Sequence, residues 1–125
     1  MVTGTVNEHW EPVVELGCVL RDTTSSYPAV IDTGCNGYLS LPAGVVAQAD
    51  WIVLGRKRYE LANGRFIVES VYLARVVFDK MSFHVPAVAT MADELLIGTR
   101  FLAQKCLFID FTAKAVTVTD ARTDV

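Results

Sequence analysis

The chain is poor in several things that would mark a function. Among its 125 residues there are three cysteines, Cys18, Cys35 and Cys106, and two histidines, His9 and His84. An odd cysteine count with no CxxC pair argues against a disulfide framework and against a zinc ribbon. Two histidines far apart in sequence give no metal-ligand spacing, so no metal site is expected. No run approaches eighteen apolar residues, so no membrane-crossing helix is expected. The first residues, MVTGTVNEHWEP, hold neither a basic stretch nor an apolar one. No secretory leader is therefore expected, and the cytoplasm is the default location. Positive charge is not in excess either. Lys and Arg number 11 against 14 Asp and Glu, for a net charge of −3, which removes the electrostatic footprint of a nucleic-acid binder. Linkers, repeats and charge blocks are absent, and the length suits one domain, residues 1–125, rather than two catalytic lobes.

What the chain does have is apolar content in short blocks. Hydrophobic residues make up 52% and charged residues 20%, too apolar a balance for disorder. Valine, other β-branched residues and aromatics recur in the blocks, which favours strands. Strands are expected over 3–9, 13–21, 27–31, 38–41, 52–61, 65–79, 83–88, 95–97, 106–109 and 115–119. Asn63-Gly64 fits a two-residue type I′ hairpin turn, because both residues tolerate positive φ. Its flanks would form the arms of a projecting ribbon. Two short helices are expected, at 42–49 behind Pro42 and at 98–105, the second with Lys105 at its C-terminal dipole. The expected class is all-β, a barrel or sandwich with one or two short helices. Trp10 and Trp51 read as core or interface anchors, Cys18 and Cys106 as buried packing, and Arg56-Lys57-Arg58 as a short solvated turn that could steer acidic substrates.

One segment carries chemistry. Ala29-Val30-Ile31-Asp32-Thr33-Gly34-Cys35-Asn36-Gly37-Tyr38-Leu39 runs from an apolar strand into Asp-Thr-Gly and out into a second apolar strand. A carboxylate at the end of a buried strand is costly unless it is hydrogen-bonded or shares a proton. Thr33 offers a hydroxyl, and Gly34, lacking a side chain, lets its N–H approach the carboxylate. Taken alone, Asp-Thr-Gly is also an ordinary turn. Context adds to it: Leu95-Leu96-Ile97-Gly98 is another apolar strand ending in Gly, followed by Phe101-Leu102 and then the apolar runs 106–109 and 115–119.

This order resembles the retropepsin-like aspartic proteases, in particular the small stand-alone bacterial members of that clan, over roughly residues 4–119. Val30-Ile31-Asp32-Thr33-Gly34 is similar to the family's catalytic loop. Asn36-Gly37-Tyr38-Leu39-Ser40-Leu41-Pro42 is similar to its continuation, Leu61-Ala62-Asn63-Gly64 stands where the family carries its flap tip, and Leu96-Ile97-Gly98 resembles the second apolar-apolar-Gly loop. The resemblance implies a retropepsin-like acid-protease barrel. It implies Asp32, Thr33 and Gly34 as catalytic, with Asp32 activating water, Thr33 bonding across the two-fold axis and Gly34 orienting the carboxylate. It also implies that Cys35, Asn36, Gly37, Ala62, Asn63, Gly64, Ile97 and Gly98 bind substrate.

Three positions depart from the family. Cys35 stands where Ala or Ser is common, Thr99 where retroviral members carry Arg, and Arg100 where Asp or Asn is common. Cys35 reads as a small apolar filler, or as a site where oxidation could regulate a neighbouring Asp32. Peptide hydrolysis by this route needs two carboxylates around one water, one ionised and one protonated. The chain has one Asp-Thr-Gly. The resemblance therefore implies a homodimeric endopeptidase acting on an extended peptide, with no cofactor, no nucleic acid and no membrane. Part of the apolar content then reads as the face that meets the second copy. The rival reading is a module of the same fold that grips extended peptides by strand pairing and hardly cuts.

Overall fold

Alternation with period two builds most of the molecule. Val14, Leu16, Cys18 and Leu20 are buried, and the pattern recurs at Ala29/Ile31, Leu39/Leu41, Ala74/Val76/Phe78, Val85/Ala87, Leu95/Ile97 and Val116/Val118. Successive side chains of a strand point to opposite faces, so each set gives one face to a common interior. A fully buried Leu, Ile or Val there contributes roughly 1.5–3 kcal/mol. Among the described residues none of the buried side chains is polar or charged.

The computed structural model describes residues 1–121, so residues 122–125 of the expected single domain lie outside the described residues. In chain order the elements are β1 (Val2–Val6), β2 (Pro12–Val19), β3 (Thr24–Ile31), β4 (Leu39–Pro42), α1 (Ala43–Val46), β5 (Ile52–Glu60), β6 (Phe66–Phe78), β7 (Met81–Thr90), β8 (Leu95–Ile97), a single 3-10 turn (Thr99–Leu102), β9 (Lys105–Asp110) and β10 (Ala115–Asp120). The class is all-β, as expected. No helix among the described residues is long and apolar enough to cross a membrane.

Strands β6, β7, β4, β8, β3 and β2 follow one another edge to edge, and β2 pairs back onto β6 to close a barrel. Closure works because two strands change partner along one edge. β2 gives its start, Pro12 and Val13, to β1 and its later Gly17 and Cys18 to β6. β6, 13 residues long, gives 66–73 to β5 and Val76 and Val77 to β2. Beyond the ring, β1, β10 and β9 continue the sheet from β2, while β5 hangs on β6 alone.

Several sequence expectations need correction. The helix at 42–49 shrinks to Ala43–Val46, and the one at 98–105 to the 3-10 turn. Lys105 starts β9 instead of ending a helix, and its ammonium bonds Asp120 on β10. That bond holds the Asp120 carboxyl below its usual value. β1 stops at Val6 because the Asn7 carboxamide oxygen accepts from the N–H groups of His9 and Glu11 and turns the chain. Trp10, at the end of that turn with φ 63°, is 60% exposed and is not a core residue. Trp51 does pack against the core and donates its indole N–H to the Val19 carbonyl at 3.0 Å.

The last correction concerns the hairpins. Leu61 N–H donates to Arg65 O at 2.7 Å and Gly64 N–H to Leu61 O at 2.9 Å. The loop therefore has three residues, Ala62, Asn63 and Gly64, and only Gly64 has positive φ, 83°. Asn63 spends its carboxamide oxygen on the Arg65 N–H at 3.0 Å. The two-residue turn with both φ positive lies at Asp79-Lys80 (φ 51° and 65°), between the paired residues Phe78 and Met81.

Candidate active site

The barrel places β8 between β3 and β4. β3 and β8 run parallel, with Ile31 opposite Ile97, and β4 runs antiparallel on the other edge of β8, with Leu39 opposite Ile97. Ile31, Leu39 and Ile97 are all buried, and this apolar triple fixes the register. A one-residue slip would turn all three side chains to the opposite face. The chain leaves β3 at Asp32 and leaves β8 at Gly98, so parallel pairing brings the two exits side by side.

Hydrogen bonds then join the exits. Asp32 N–H donates to Ile97 O at 2.9 Å, Gly98 N–H to Tyr38 O at 2.8 Å, Thr99 N–H to Cys35 O at 2.8 Å and Arg100 N–H to Gly37 O at 3.1 Å. The Thr99 hydroxyl adds a bond to Cys35 O at 3.2 Å, so a family departure serves here as a clasp. Gly98 is needed for this approach. A Cβ at that position would lie 2.2 Å from Gly37 O. Asp32, Thr33, Gly34, Cys35, Asn36, Gly37, Ile97 and Gly98 are thus brought together.

Asp32 is half-buried at the strand's end, and Thr33 and Gly34 are exposed. Gly34 N–H donates to Asp32 Oδ1 at 3.0 Å, and Cys35 N–H to Asp32 O at 3.1 Å. The loop is an Asx turn that holds one carboxylate oxygen by a backbone donor. Asp32 is the only acidic residue in 32–38 and 97–100.

The β5–β6 ribbon approaches from the side. Lys57, Tyr59 and Val71 on it, with Cys35–Ser40, Pro86, Val88 and Arg100, line a cavity of about 290 Å³. Ala62, Asn63 and Gly64 are exposed at the ribbon's tip. No hydrogen bond among the described residues joins that tip to 32–38 or 97–100. A larger cavity of about 650 Å³, walled by residues such as Tyr27, Val30 and Leu95, contains none of residues 32–38. Among the described residues no group of three or more His, Cys, Asp or Glu is placed to hold a metal ion.

Sequence reasoning missed Lys57, Tyr59 and Tyr38 as cavity residues. It read 56–58 as a turn, whereas the segment lies within β5, where alternation sends Lys57 to one face and Arg56 and Arg58 to the other.

No family model and no curated protein sequence matches the chain. Solved structures do. A retropepsin-like aspartic protease from Rickettsia conorii superposes with a TM-score of 0.61 at 12% identity, covering 95% of this chain and 89% of that one. The fold is that of the retropepsin-like aspartic proteases. A foamy viral protease–reverse transcriptase, solved with an RNA/DNA hybrid, matches with a TM-score of 0.53 at 14% identity over 73% of this chain. Only 12% of that viral chain is involved, so the likeness is to one part of it. In this retropepsin-like barrel the order read from the sequence is intact: Asp-Thr-Gly loop, ribbon, then apolar-apolar-Gly loop.

Proposed function

We propose that the chain is one half of an aspartic endopeptidase. Two copies meet on a two-fold axis, and Asp32 from each activates a water that attacks the carbonyl of an extended peptide. One carboxylate, ionised, takes the water's proton while the other, protonated, polarises the carbonyl. The carbon becomes a tetrahedral gem-diol, and collapse breaks the C–N bond as a proton passes to the leaving nitrogen. Thr33 holds the two loops together, and Gly34 orients the carboxylate. Cys35, Asn36 and Gly37 form the floor under the peptide, and the ribbon carrying Ala62, Asn63 and Gly64 closes over it. Ile97 and Gly98, expected to touch the peptide, are buried and brace that floor from beneath.

What supports this reading most is that the single acid of the joined loops, Asp32, sits at their outer edge with one oxygen held by the Gly34 N–H. A lone carboxylate has no partner with which to divide acid and base roles, and a symmetric copy supplies one. Exposed apolar side chains such as Phe108 and Phe111 are available to such a contact.

The test is cleavage of an unstructured peptide library across pH, beside Asp32→Asn. Wild type should sediment at twice the 13.7 kDa chain mass and cut best in acid. Asp32→Asn should fold and dimerise yet lose about a thousandfold or more in rate. Excess Asp32→Asn added to wild type should suppress cutting by forming mixed dimers. Undiminished cleavage by the variant refutes the mechanism. Tight peptide binding with no turnover at any pH favours the rival module, to which Cys35, a weak donor beside the carboxylate, gives some support.

A further inference from the structure

The cavity between the ribbon and the 32–38 loop has a charge that the rest of the chain lacks. Its lining includes Lys57 and Arg100 and no Asp or Glu, in a chain of net charge −3. Lys57 Nζ lies 5.1 Å from the Tyr59 ring centre, and Arg100 Cζ lies 5.8 Å from that of Tyr38. Both rings line the same cavity. The aromatic faces attract and orient the cations without neutralising them.

Neither cation has a carboxylate within ion-pair distance among the described residues. Glu69 stands directly across from Lys57 on β6, yet it lines a different cavity with Ile67, Tyr72 and Met91. Its Oε2 has no hydrogen-bond partner. Two cations without an ion-pair partner in one cavity lining, with apolar Val71 and Val88 in the same lining, suit a short apolar stem that ends in a negative charge.

We propose that this cavity is a specificity subsite for an acidic side chain of the peptide, gripped between Lys57 on the ribbon and Arg100 after the second loop. The proposal rests on the peptide-cleaving reading for its ligand and deepens it: the substrate class is an extended segment with Glu or Asp at one fixed position from the scissile bond. It also gives Arg100, a departure from the family, a definite task. Because one cation is on the ribbon and the other on the barrel, an acidic side chain between them would draw the ribbon down over the peptide.

The experiment uses immobilised full-length Asp32→Asn chain and a positional-scanning decapeptide library, each position set in turn to Glu, Gln or Lys. At one position Glu should be retained tenfold or more over Gln, less so at high salt. Lys57→Gln and Arg100→Gln should each cut that ratio about threefold, and the double variant should bring it near one. Lys57→Glu with Arg100→Glu should favour Lys at the same position. Arg56→Gln with Arg58→Gln removes as much charge from the opposite face of the ribbon and should leave the ratio in place. Circular dichroism confirms that each variant is folded.

The proposal is overturned if no position shows Glu over Gln by more than twofold, if the ratio survives the double variant, or if the Arg56/Arg58 pair abolishes it equally. The last result would mean general electrostatic steering. Cleavage by wild type without discrimination sinks the subsite alone. Discrimination without cleavage sinks the peptidase and leaves the subsite standing.

Discussion

Gly98→Ala tests the joined loops without assuming any activity. The added Cβ would lie 2.2 Å from Gly37 O, 2.7 Å from Gly37 C and 3.1 Å from Cys35 O. All three are backbone atoms, so no rotamer change relieves the clash, and the second loop must back away from the first by about 1 Å. That motion stretches the bonds from Gly98, Thr99 and Arg100 to Tyr38, Cys35 and Gly37, now 2.8, 2.8 and 3.1 Å long. Overpacking costs about 1–3 kcal/mol, and weakening two hydrogen bonds about 0.5–1.5 kcal/mol each. The expected loss is therefore about 2–6 kcal/mol. Urea unfolding at fixed chain concentration measures it, because dimerisation would make stability concentration-dependent. The midpoint should fall with little change in slope, and amide exchange at Thr99 and Arg100 should quicken. Gly44→Ala is the matched control. Nothing lies within 4 Å of a Cβ there, and the residue is helical, so this change should stabilise by about 0.4–1 kcal/mol. If Gly98→Ala unfolds within about 0.5 kcal/mol of wild type, the two loops are not held as described.

Two further predictions concern parts away from the site. Cys18 is fully buried in β2, and burial pushes its thiol up from 9.0 to about 11. The unfolded chain then loses this proton at lower pH than the folded one. The stabilisation is complete below about pH 9 and fades as pH rises to about 11, a loss of about 2–3 kcal/mol. Cys18→Ala should show a shallower fall than wild type across that window in paired urea titrations, and identical slopes would refute the assignment. Lys80, a non-glycine residue at φ 65° in the Asp79-Lys80 turn, carries left-handed strain, so Lys80→Gly should raise stability by about 1 kcal/mol. A thermal midpoint that falls would contradict the turn assignment.

The fold was legible because its signals are local. Two apolar strands that each end in a small polar or glycine break, at Ile31-Asp32 and Ile97-Gly98, could each be read from a short run. Their pairing as neighbouring exits was implied only by the family resemblance and is seen in the parallel β3–β8 ladder. Hairpin type was not legible, although Asn-Gly is the strongest short signal for a type I′ turn. At 61–65 the closing pair Leu61 and Arg65 leaves three residues to span, and Asn63 satisfies the Arg65 N–H instead of adopting positive φ. The I′ geometry fell on Asp79-Lys80, where paired Phe78 and Met81 leave only two residues to turn the chain. Register set the turn type and overrode the preference of the residues in it. The 98–105 helix failed for a similar reason: Lys105 begins the ladder with β10, which leaves room for a single turn after Gly98.

Site chemistry divides in the same way. The Asp32 loop is one contiguous segment, so its donors and its strand could be read in order. The cavity beside it takes in both Lys57 and Arg100, residues 43 positions apart, which share a lining only in the folded sheet, where β7, β4 and β8 lead from the ribbon's β6 to the second loop. No periodicity in one segment can report such a meeting. Alternation within β5 also matters, since it separates Lys57 from Arg56 and Arg58 and leaves one cation of the three facing the cleft. A basic triplet that looked like a solvated turn therefore gives one charge to the cavity and two to the outer surface. The ring leaves the ribbon and the barrel each holding one cation of the cavity beside the Asp32 loop. The proposed subsite therefore predicts that substrate charge and ribbon closure are coupled: a peptide lacking the acidic residue should both bind more weakly and leave the ribbon less closed over Asp32.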